Sequence, residues 1–370
     1  MKNHRILFVG GHTGGHLYPA EALATVLLEE GVGTPVYLDH LRSQESKVFN
    51  EAGMEKVVAP WHKKGRYGSV LSVCAARSLL QKEKISAVMG FGAFPSIAPG
   101  LAAKSLGIPL FLHEQNRVMG LANHVLKFFA SKIFLSFPVI NPDRVLRSRS
   151  AILGCPVRPD FQPQELKPGV VRLLILGGSQ GATEVNRRVV EAAKCFTPSL
   201  RQEIEILHMT GESTLDQVRR DWNECGFNVR VVSFIKDIAH EMDRAHLVVG
   251  RSGGSTLAEM MALGRPGVFF PIQSHRDEHQ KHNACFLQEN GAGFLVDSDT
   301  APIQIAKQIE ELLLNKTRLQ EMAEKSRQLG RPRAAQSIAE MIRIHLEAHE
   351  HERFDDRQRV RTQQDERIEA

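Results

Sequence analysis

The stretch Leu247-Val-Val-Gly-Arg-Ser-Gly-Gly-Ser-Thr-Leu-Ala-Glu259 decides how the rest of the chain is interpreted. Its apolar start predicts a buried strand over 247–249, its glycines predict a tight turn, and a helix is expected from about Ser255 to Gly264. Such a helix start presents unpaired backbone N–H groups, which suit a phosphate. Glu259, about a turn inside the helix, would repel a phosphate but can accept hydrogen bonds from a ribose diol. The stretch therefore predicts a nucleotide site on a strand-turn-helix unit.

A structural alternative exists for the same residues. Thr256 and Glu259 have the spacing of a capping box, in which the two side chains only satisfy the donors of their own helix. Short glycine-rich matches also arise often by chance. Both interpretations stay open on this stretch alone, so the remainder of the chain has to decide between them.

Length and composition describe a globular protein with anionic partners. The 370 residues, of which 42% are hydrophobic, suggest two domains with sizeable cores. A net charge of +5 and a pI near 9.0 favour nucleic acid, anionic lipid or phosphorylated substrates as partners. Aromatic residues make up only 6% and do not alternate with basic ones, which argues against nucleic acid.

Cysteine spacing and the absence of long apolar segments narrow the cellular setting. The five cysteines, at 74, 155, 195, 225 and 285, form no close pair, so neither a zinc site nor a redox pair is predicted, and a reducing cytoplasm is expected. The chain starts with polar residues that run directly into a strand, and no segment approaches the ~20 apolar residues that span a bilayer. Any contact with a membrane is therefore expected from its surface.

Short β-rich segments alternate with helical ones in both halves of the chain. In the first half they are 6–9, 35–38, 56–59, 86–89, 109–112, 132–135 and 151–153, and in the second half 171–176, 203–209, 229–234, 246–249, 267–270 and 293–296. Strands that are apolar on both faces and separated by helices indicate parallel sheets covered on both sides. Ligands of such sheets bind beyond the carboxyl ends of the strands.

A proline-rich segment, 154–163, separates the two patterns and is interpreted as a linker. We therefore predict an α/β protein of two doubly wound, Rossmann-like domains, 1–157 and 158–331, facing each other across a cleft. A helix over 332–348 has an apolar stripe that could pack back on the first domain. The charged end, 349–370, is expected to be a solvated helix extension or a disordered tail.

The loop after the first strand, Gly10-Gly-His-Thr-Gly-Gly-His16, is the second candidate anion site. Its four glycines lack the spacing of a dinucleotide fingerprint but would let a large anion approach the backbone. The helix dipole would keep His16 neutral near pH 7 and usable as a base. The alternative is a histidine that only caps or packs.

Three further segments at strand ends or in loops are candidates for contact with a ligand. Gly90-Phe-Gly-Ala-Phe-Pro95 is a second glycine loop, and His113-Glu-Gln-Asn116 follows the fifth strand, either to meet a ligand or to tie loops together. The segment 275–283 has histidines at 275, 279 and 282 that suggest a metal site, but its Arg276 and Lys281 suit a sugar or phosphate better. We therefore predict no metal site and no required cofactor.

Taken together, five segments resemble the MurG family over residues 4 to 345. They are Gly10 to His16, His113 to Asn116, Gly177-Gly-Ser-Gln-Gly-Ala182, Arg251 to Glu259, and His279-Gln-x-x-Asn-Ala284. Members of that family are bacterial transferases that move N-acetylglucosamine (GlcNAc) from UDP-GlcNAc to lipid I, giving lipid II of peptidoglycan synthesis. The resemblance implies a GT-B fold, with the donor held mainly by the second domain and the lipid-linked acceptor by the first.

The resemblance also implies roles for individual residues. Glu259 would bind the ribose, Ser179 and the turn from Ser252 to Thr256 the diphosphate, Gln280 and His279 the GlcNAc hydroxyls, and the backbone of Ile235 the uracil. Donor-binding residues are expected to be Thr13, Gly14, Gly15, His16, Asn116, Arg158, Ser179, Ile235, Arg251, Gly254, Ser255, Thr256, Glu259, His279 and Gln280. Acceptor-binding residues are expected to be Gly11, Thr13, Gly14, Gly15, His16, Gly92, His113, Glu114, Gln115 and Asn116.

The implied reaction is an inverting displacement, in which the C4 hydroxyl of the N-acetylmuramic acid unit attacks the anomeric carbon while UDP leaves. His16 would be the base, and Glu259 belongs with it to the catalytic set. The helix start at 252–256 would stabilise the charge on UDP, a role that GT-A enzymes give to a metal. His12, Gly90-Phe-Gly-Ala-Phe94, Cys155 and His279 depart from the usual family pattern, which weakens the acceptor-loop details more than the donor assignment.

The expected partners are UDP-GlcNAc, lipid I and the cytoplasmic leaflet of the cell membrane, with no nucleic acid. Segment 61–71, Trp-His-Lys-Lys-Gly-Arg-Tyr-Gly-Ser-Val-Leu, mixes basic and aromatic residues and would contact the leaflet as a peripheral anchor, unless it is an ordinary solvated loop. Three competing functions remain: a UDP-GlcNAc 2-epimerase-like or other GT-B UDP-sugar enzyme, a nucleotide-sugar binding module without turnover, and a partner-docking role for the charged tail.

Overall fold

The apolar segments of the first half form one parallel sheet in a computed structural model of the chain, which describes residues 4–11, 13–39, 54–59, 70–177, 182–271 and 278–369. Its strands are β1 (Arg5–Val9), β2 (Thr34–Asp39), β3 (Glu55–Val58), β4 (Ala87–Gly90), β5 (Leu110–Glu114), β6 (Lys132–Leu135) and β7 (Ser150–Ile152). They lie in the order β3-β2-β1-β4-β5-β6-β7, and every pair is parallel.

The second half repeats this design. Its strands are β8 (Val171–Leu176), β9 (Ile204–Met209), β10 (Val229–Val232), β11 (Leu247–Gly250), β12 (Gly267–Phe269) and β13 (Gly293–Leu295). They form a six-stranded parallel sheet in the order β10-β9-β8-β11-β12-β13. Both strand orders start at a central strand and reverse direction there, which is the doubly wound pattern. The predicted fold class is confirmed.

Helices cover both faces of each sheet, as strands apolar on both faces require. In the first half they are α1 (Gly14–Glu29), α2 (Val70–Lys82), α3 (Ile97–Ser105), α4 (Leu121–Leu126) and α5 (Arg144–Arg149). In the second half they are α6 (Thr183–Ala193), α7 (Leu200–Glu203), α8 (Leu215–Cys225), α9 (Ile238–Arg244), α10 (Gly254–Leu263), α11 (His279–Glu289), α12 (Pro302–Leu314) and α13 (Lys316–Leu329). The last helix is α14 (Ala334–Glu369).

Contacts divide the chain into two units. The first unit comprises 1–115, 119–156 and 333–370, and the second comprises 116–118 and 157–332. These limits lie close to the predicted 157/158 and 331/332 boundaries, and the assignment of acceptor and donor to the two domains remains a prediction. Residues of α14 complete the core of the first unit, because Ile338 and Ile342 are fully buried in the cluster that contains Leu23 and Leu27 of α1.

The charged end of the chain continues α14 as a helix to Glu369, so of the two predicted forms the helical extension is the one present. Over the ranges described, no helix combines the length and apolar character needed to cross a bilayer. The predicted membrane segment 61–71 lies outside the described residues except for Val70 and Leu71, which begin α2 and are 78% and 74% exposed.

The stretch 247–259 folds as predicted. β11 ends at Gly250, α10 begins at Gly254, and Gly264 closes the helix in the left-handed conformation with φ of 72°. Gly253 is the N-cap and makes no side-chain cap. Thr256 is therefore the third residue of the helix and not its cap, so the capping-box alternative for Thr256 and Glu259 is wrong.

Candidate active site

Each sheet has one point at which the strand order reverses, and the loops beyond the carboxyl ends of the strands at that point form a ligand crevice in this fold. In the first sheet the central pair is β1 and β4, with Val9 level with Gly90. In the second sheet it is β8 and β11, with Leu176 level with Gly250. Glycine-rich segments singled out in the sequence directly follow these four strands, so the fold brings their described residues to the reversal points; residues 178–181 of the segment after β8 lie outside the described part of the chain.

His16 lies at the reversal point of the first unit, on the first turn of α1. Its Nδ1 is 2.6 Å from the carbonyl oxygen of Phe91, the residue after β4. Glycines surround the ring: a Cβ at Gly11 would come within 2.7 Å of His16 Cδ2, and one at Gly92 would be 3.7 Å from Cε1. A side chain at Gly11 would therefore displace the imidazole, so the two glycine loops shape the space around His16.

The contact with Phe91 fixes the tautomer of His16. A carbonyl oxygen only accepts, so Nδ1 carries the proton and donates it, which leaves the lone pair on Nε2. Burial lowers the pKa of His16 and outweighs the opposing effect of the Phe91 hydrogen bond. The imidazole is thus neutral near pH 7, as the sequence predicted, but burial contributes to this in addition to the helix dipole. Its Nε2 has the lone pair that a general base needs.

His113, Glu114 and Gln115 are nearly or fully buried, and their side chains bind the polypeptide itself. His113 Nε2 donates to the carbonyl of Gly154 (3.1 Å), and the Glu114 carboxylate accepts from the backbone of Gly120 (3.0 Å) and from Asn123 (2.9 Å). Burial lowers the pKa of His113 to about 4. The loop-tying alternative therefore describes their present contacts, and the acceptor-binding role remains a prediction.

The loop after β4 has a strained backbone. Gly92 has φ of +85°, and the next residue, Ala93, has φ of +62° with ψ of 162°, a region that is almost restricted to glycine. Such a conformation costs about 1–3 kcal/mol for a residue with a Cβ. Strain of this kind persists only where neighbouring contacts enforce it and is frequent at functional sites.

The reversal point of the second unit is the turn between β11 and α10. Gly253 provides no side-chain cap, so the backbone N–H groups that open α10 at Gly254, Ser255 and Thr256 are available to an anion. Ser252, fully buried, donates to the carbonyl oxygen of Gln280 at 2.6 Å, which joins this turn to α11. The predicted diphosphate and sugar segments are therefore neighbours.

Glu259 lies in the second turn of α10 and is partly buried. Burial raises its pKa to about 7, while the positive charge of Arg158 opposes that shift. Arg251, after β11, is also partly buried, and burial lowers the pKa of its guanidinium. The Glu259 carboxylate, the Arg158 guanidinium that acts on it and the Arg251 guanidinium just before α10 match a ligand that carries both phosphate and hydroxyl groups.

Asn283 of α11 belongs to the motif His279-Gln-x-x-Asn-Ala284, but the sequence predicted no role for it. In the structure it connects several residues of the predicted site. Fully buried, it donates to the carbonyl of Ser252 (3.0 Å) and to the amide oxygen of Asn116 (2.9 Å), and it accepts from the backbone of Arg117 (3.0 Å). Asn116 therefore groups by contact with the second unit, although it was expected in the first domain. A buried asparagine with this many partners is a positioning group.

The other predicted residues are distributed as follows. Thr13 is the exposed N-cap of α1, and Gly14 and Gly15 are the first residues of that helix. Ile235 is buried, and its neighbour Phe234 is 57% exposed. His279 and Gln280 are the first residues of α11. Ser179 and His275 lie outside the described residues. Within the described ranges, no group of three His, Cys, Asp or Glu side chains is arranged to hold a metal ion.

The structure adds one feature that sequence reasoning missed, an exposed apolar patch on α4 and the turn that follows it. Leu121, Val125, Phe128 and Phe129 recur at helical spacing and are 63%, 39%, 51% and 36% exposed. Lys127 pairs with Asp143 at 2.5 Å, which brings the start of α5 beside the patch. The segment resembles any amphipathic helix in sequence, and only the fold shows which face remains exposed.

Comparisons with known proteins identify the family of both units. The chain matches the glycosyltransferase family 28 N-terminal domain over residues 6–135 and the C-terminal domain over 172–338. It is 33% identical over 355 residues to the UDP-N-acetylglucosamine--N-acetylmuramyl-(pentapeptide) pyrophosphoryl-undecaprenol N-acetylglucosamine transferase of Rhodopseudomonas palustris, covering 91% of this chain and 94% of that protein. The chain belongs to the MurG family. Family 28 domains thus account for both units.

Solved structures give the same assignment of fold. The crystal structure of Acinetobacter baumannii MurG superposes with a TM-score of 0.78 and 28% identity, covering 92% of this chain and 99% of that one. A putative UDP-N-acetylglucosamine 2-epimerase from Listeria monocytogenes reaches a TM-score of 0.70 over 94% of this chain and 98% of its own, but at 16% identity. MurG and the epimerase thus share the GT-B architecture, and of these two structures MurG is the more similar in sequence.

Proposed function

We propose that the chain is an inverting glycosyltransferase that moves GlcNAc from UDP-GlcNAc to the C4 hydroxyl of N-acetylmuramic acid in undecaprenyl-diphospho-MurNAc-pentapeptide, converting lipid I to lipid II. The observation that carries this proposal is the 33% identity to a transferase of that name over 91% of the chain, which includes both units. The helix start of α10 in one unit and the partly buried His16 in the other would supply the chemistry that the reaction needs.

In the second unit, α10 would bind the UDP part of the donor. The open N–H groups at Gly254, Ser255 and Thr256 suit the diphosphate, and their partial positive charge would stabilise the phosphate that leaves. Glu259 in its ionised form would accept from the ribose diol, with Arg158 holding its charge. Gln280, tied to Ser252 through its carbonyl, would contact the GlcNAc hydroxyls.

In the first unit, His16 would be the base. Its Nε2 lone pair would take the proton of the C4 hydroxyl as that oxygen attacks the anomeric carbon and the bond to UDP breaks. The imidazole then carries one positive charge, and UDP leaves with the negative charge that the sugar bond released. Gly11, Gly14, Gly15 and Gly92 would let the acceptor diphosphate approach the backbone beside the ring.

We further propose that the protein works as a peripheral protein on the cytoplasmic leaflet. The apolar patch of α4 supports this, because a contiguous exposed apolar surface favours burial at a lipid interface. Arg144 and Arg147 of α5 are exposed next to it, and each basic side chain near an anionic surface adds about 1 kcal/mol.

Transfer to a lipid I analogue is the deciding experiment. With radiolabelled UDP-GlcNAc and the analogue we expect GlcNAc-containing product and UDP in equal amounts. Incubation with UDP-GlcNAc alone should give no UDP-ManNAc, since the epimerase likeness extends only to the fold. UDP-ManNAc without an acceptor would support the epimerase, and tight UDP binding without product would support a binding module.

Two substitutions separate the proposed roles. His16→Ala should lower kcat by about 10²–10⁴-fold with little change in the KM for UDP-GlcNAc, because the base acts on the acceptor hydroxyl. Glu259→Ala should raise that KM by a loss of about 1–3 kcal/mol. A nearly normal kcat for the first variant would remove His16 as base, and an unchanged KM for the second would remove the ribose contact.

A further inference from the structure

We propose that Gln115 is a positioning residue for His16, acting through the carbonyl oxygen of Phe91, to which both side chains donate. His16 Nδ1 is 2.6 Å from this oxygen, and Gln115 Nε2 is 3.1 Å from it. A carbonyl oxygen has two lone pairs and can accept both bonds at once. The inference rests on the proposed role of His16 as base and adds to it the group that holds its tautomer.

Phe91 itself is anchored on two sides. Its backbone N–H donates to the carbonyl of Val9 in β1 at 2.7 Å. Its ring is fully buried, stacks on Phe8 at 5.6 Å and tilts against His113 at 5.8 Å. The N–H and the ring are thus held by the sheet, so the orientation of the carbonyl depends on the peptide plane between Phe91 and Gly92.

That peptide plane lies in the strained part of the loop. The φ of +85° at Gly92 and of +62° at Ala93 define the path of the backbone just after the carbonyl. Ala93 disfavours this conformation by about 1–3 kcal/mol, so relaxation of the loop would tend to rotate the Phe91 carbonyl away from His16. A second donor on the same oxygen opposes that rotation, and Gln115 is that donor.

The present contacts of Gln115 favour positioning over direct contact with a substrate. Its side chain is 4% exposed, and its NH₂ group is directed at the Phe91 carbonyl, which also settles which end of the amide is nitrogen. While the carbonyl stays in place, His16 keeps its proton on Nδ1 and its lone pair on Nε2. Without Gln115 the carbonyl can turn, and the imidazole is no longer confined to one tautomer.

The test reads the tautomer of His16 directly. In protein labelled with ¹⁵N at histidine, with the His16 signals assigned by a His16→Gln spectrum, the wild type should show the Nδ1–H form alone. Gln115→Met, close in size but without a donor, should give a mixture of tautomers, and Gln115→Glu, of the same length, serves as a second variant. We expect kcat to fall about tenfold in Gln115→Met. This is less than the roughly 10²–10⁴-fold that a general base contributes, because the variant impairs the base without removing it. The KM for UDP-GlcNAc should stay within about twofold of the wild-type value.

Ser96→Ala is the matched control, because Ser96 Oγ donates to the next carbonyl of the loop, that of Gly92, at 2.6 Å. It should keep the Nδ1–H form. An unchanged tautomer in both Gln115 variants, or equal mixing in Ser96→Ala, would overturn the positioning role. A fully active His16→Gln enzyme would instead remove His16 as base, while the effect of Gln115 on the tautomer would still stand.

Discussion

At the scale of single residues, three residues stand out because their surroundings disfavour the usual protonation state or the usual backbone conformation. Burial raises the pKa of Glu259 to about 7, and burial lowers the pKa of His16. Ala93 adopts a backbone conformation that suits glycine. Perturbed pKa values and strained backbone cluster at functional sites, and these three residues flank the two strand-order reversals of the molecule.

The raised pKa of Glu259 predicts a pH-dependent donor affinity. As pH falls through about 7 the carboxylate takes up a proton and ceases to be the strong acceptor that the ribose diol requires. The KM for UDP-GlcNAc should therefore rise as pH is lowered from 8 to 6 in steady-state kinetics. Glu259→Gln should show a high KM that is flat over this range, and an equal slope in both proteins would assign the titration to another group.

The strain at Ala93 predicts a stabilising substitution. Ala93→Gly removes the Cβ that disfavours φ of +62° and should raise the free energy of unfolding by about 1 kcal/mol, after the greater freedom of glycine in the unfolded chain is subtracted. Ala75→Gly within α2 is the control and should lower it by about 1 kcal/mol. Chemical denaturation measures both, and a loss of stability in Ala93→Gly would show that the loop is not strained there.

At the scale of elements, α4 exposes apolar side chains, while the backbone that follows it is held to the first unit by hydrogen bonds. Arg149 donates to the carbonyls of Phe128 (3.0 Å) and Ala130 (2.8 Å), and Lys127, 4% exposed in its side chain, pairs with Asp143. These contacts hold the backbone that carries the exposed apolar side chains, so little backbone entropy would be lost if the patch entered a lipid surface. This is consistent with the proposed membrane contact.

Substitutions on this patch should separate membrane binding from chemistry. Phe128→Asp with Phe129→Asp should weaken binding to vesicles containing anionic lipid, in a sedimentation assay, because these residues are 51% and 36% exposed and the change adds negative charge. Transfer to a water-soluble lipid I analogue should be preserved. Ile303→Asp, on an exposed position of α12, is the control and should bind vesicles like the wild type.

The elements were predictable from sequence, whereas most of the side-chain contacts that build the site were not. Strands such as β8 and β11 are short runs that are apolar on both faces, and their glycine-rich ends mark the turns, so run length and turn residues together locate them. The carbonyl of Phe91 has no signature, because any residue carries one. Asn283 and Glu114 resemble surface residues in sequence, and only the fold shows that both are buried and hydrogen-bonded.

At the scale of the whole molecule, the two units have separate cores. Phe196 and Trp222 lie in the core of the second unit, whereas Leu23 and Ile338 lie in a core of the first. Each half repeats the pattern of strands and helices, which is why the sequence predicted two domains. The return of α14 to the first unit was predicted from its apolar stripe, since Ile338 and Ile342 needed a partner.

Separate cores predict a selective effect of UDP on thermal unfolding. At about 100 times its Kd, UDP should stabilise the unit that binds it by about 2.7 kcal/mol, which corresponds to roughly 5–10 °C for a unit of this size. Calorimetry should show a shift in one transition, assigned to the second unit. Glu259→Ala should reduce the shift at the same UDP concentration, and an equal shift of both transitions would place nucleotide contacts on both units.

The charged end of α14 predicts a tolerated truncation. Deletion of 350–370 removes no residue of the described cores, in which Leu346 is the last member. Transfer rates on the lipid I analogue should remain unchanged, and the melting temperature should shift little. A loss of transfer with an intact fold would assign a docking role to this segment, against our expectation.

The way α14 closes the first unit sets an order for assembly during translation. The core around α1 includes Ala335, Ile338, Ala339, Ile342 and Leu346, which the ribosome makes only after the entire second unit. Residues 157–332 can therefore fold while the first unit, made earlier, still lacks the helix α14 that completes its core. The unit that is synthesised first therefore completes its core last. Until α14 is made, the apolar residues of α1 that pack against it stay uncovered, and chaperones can bind that surface.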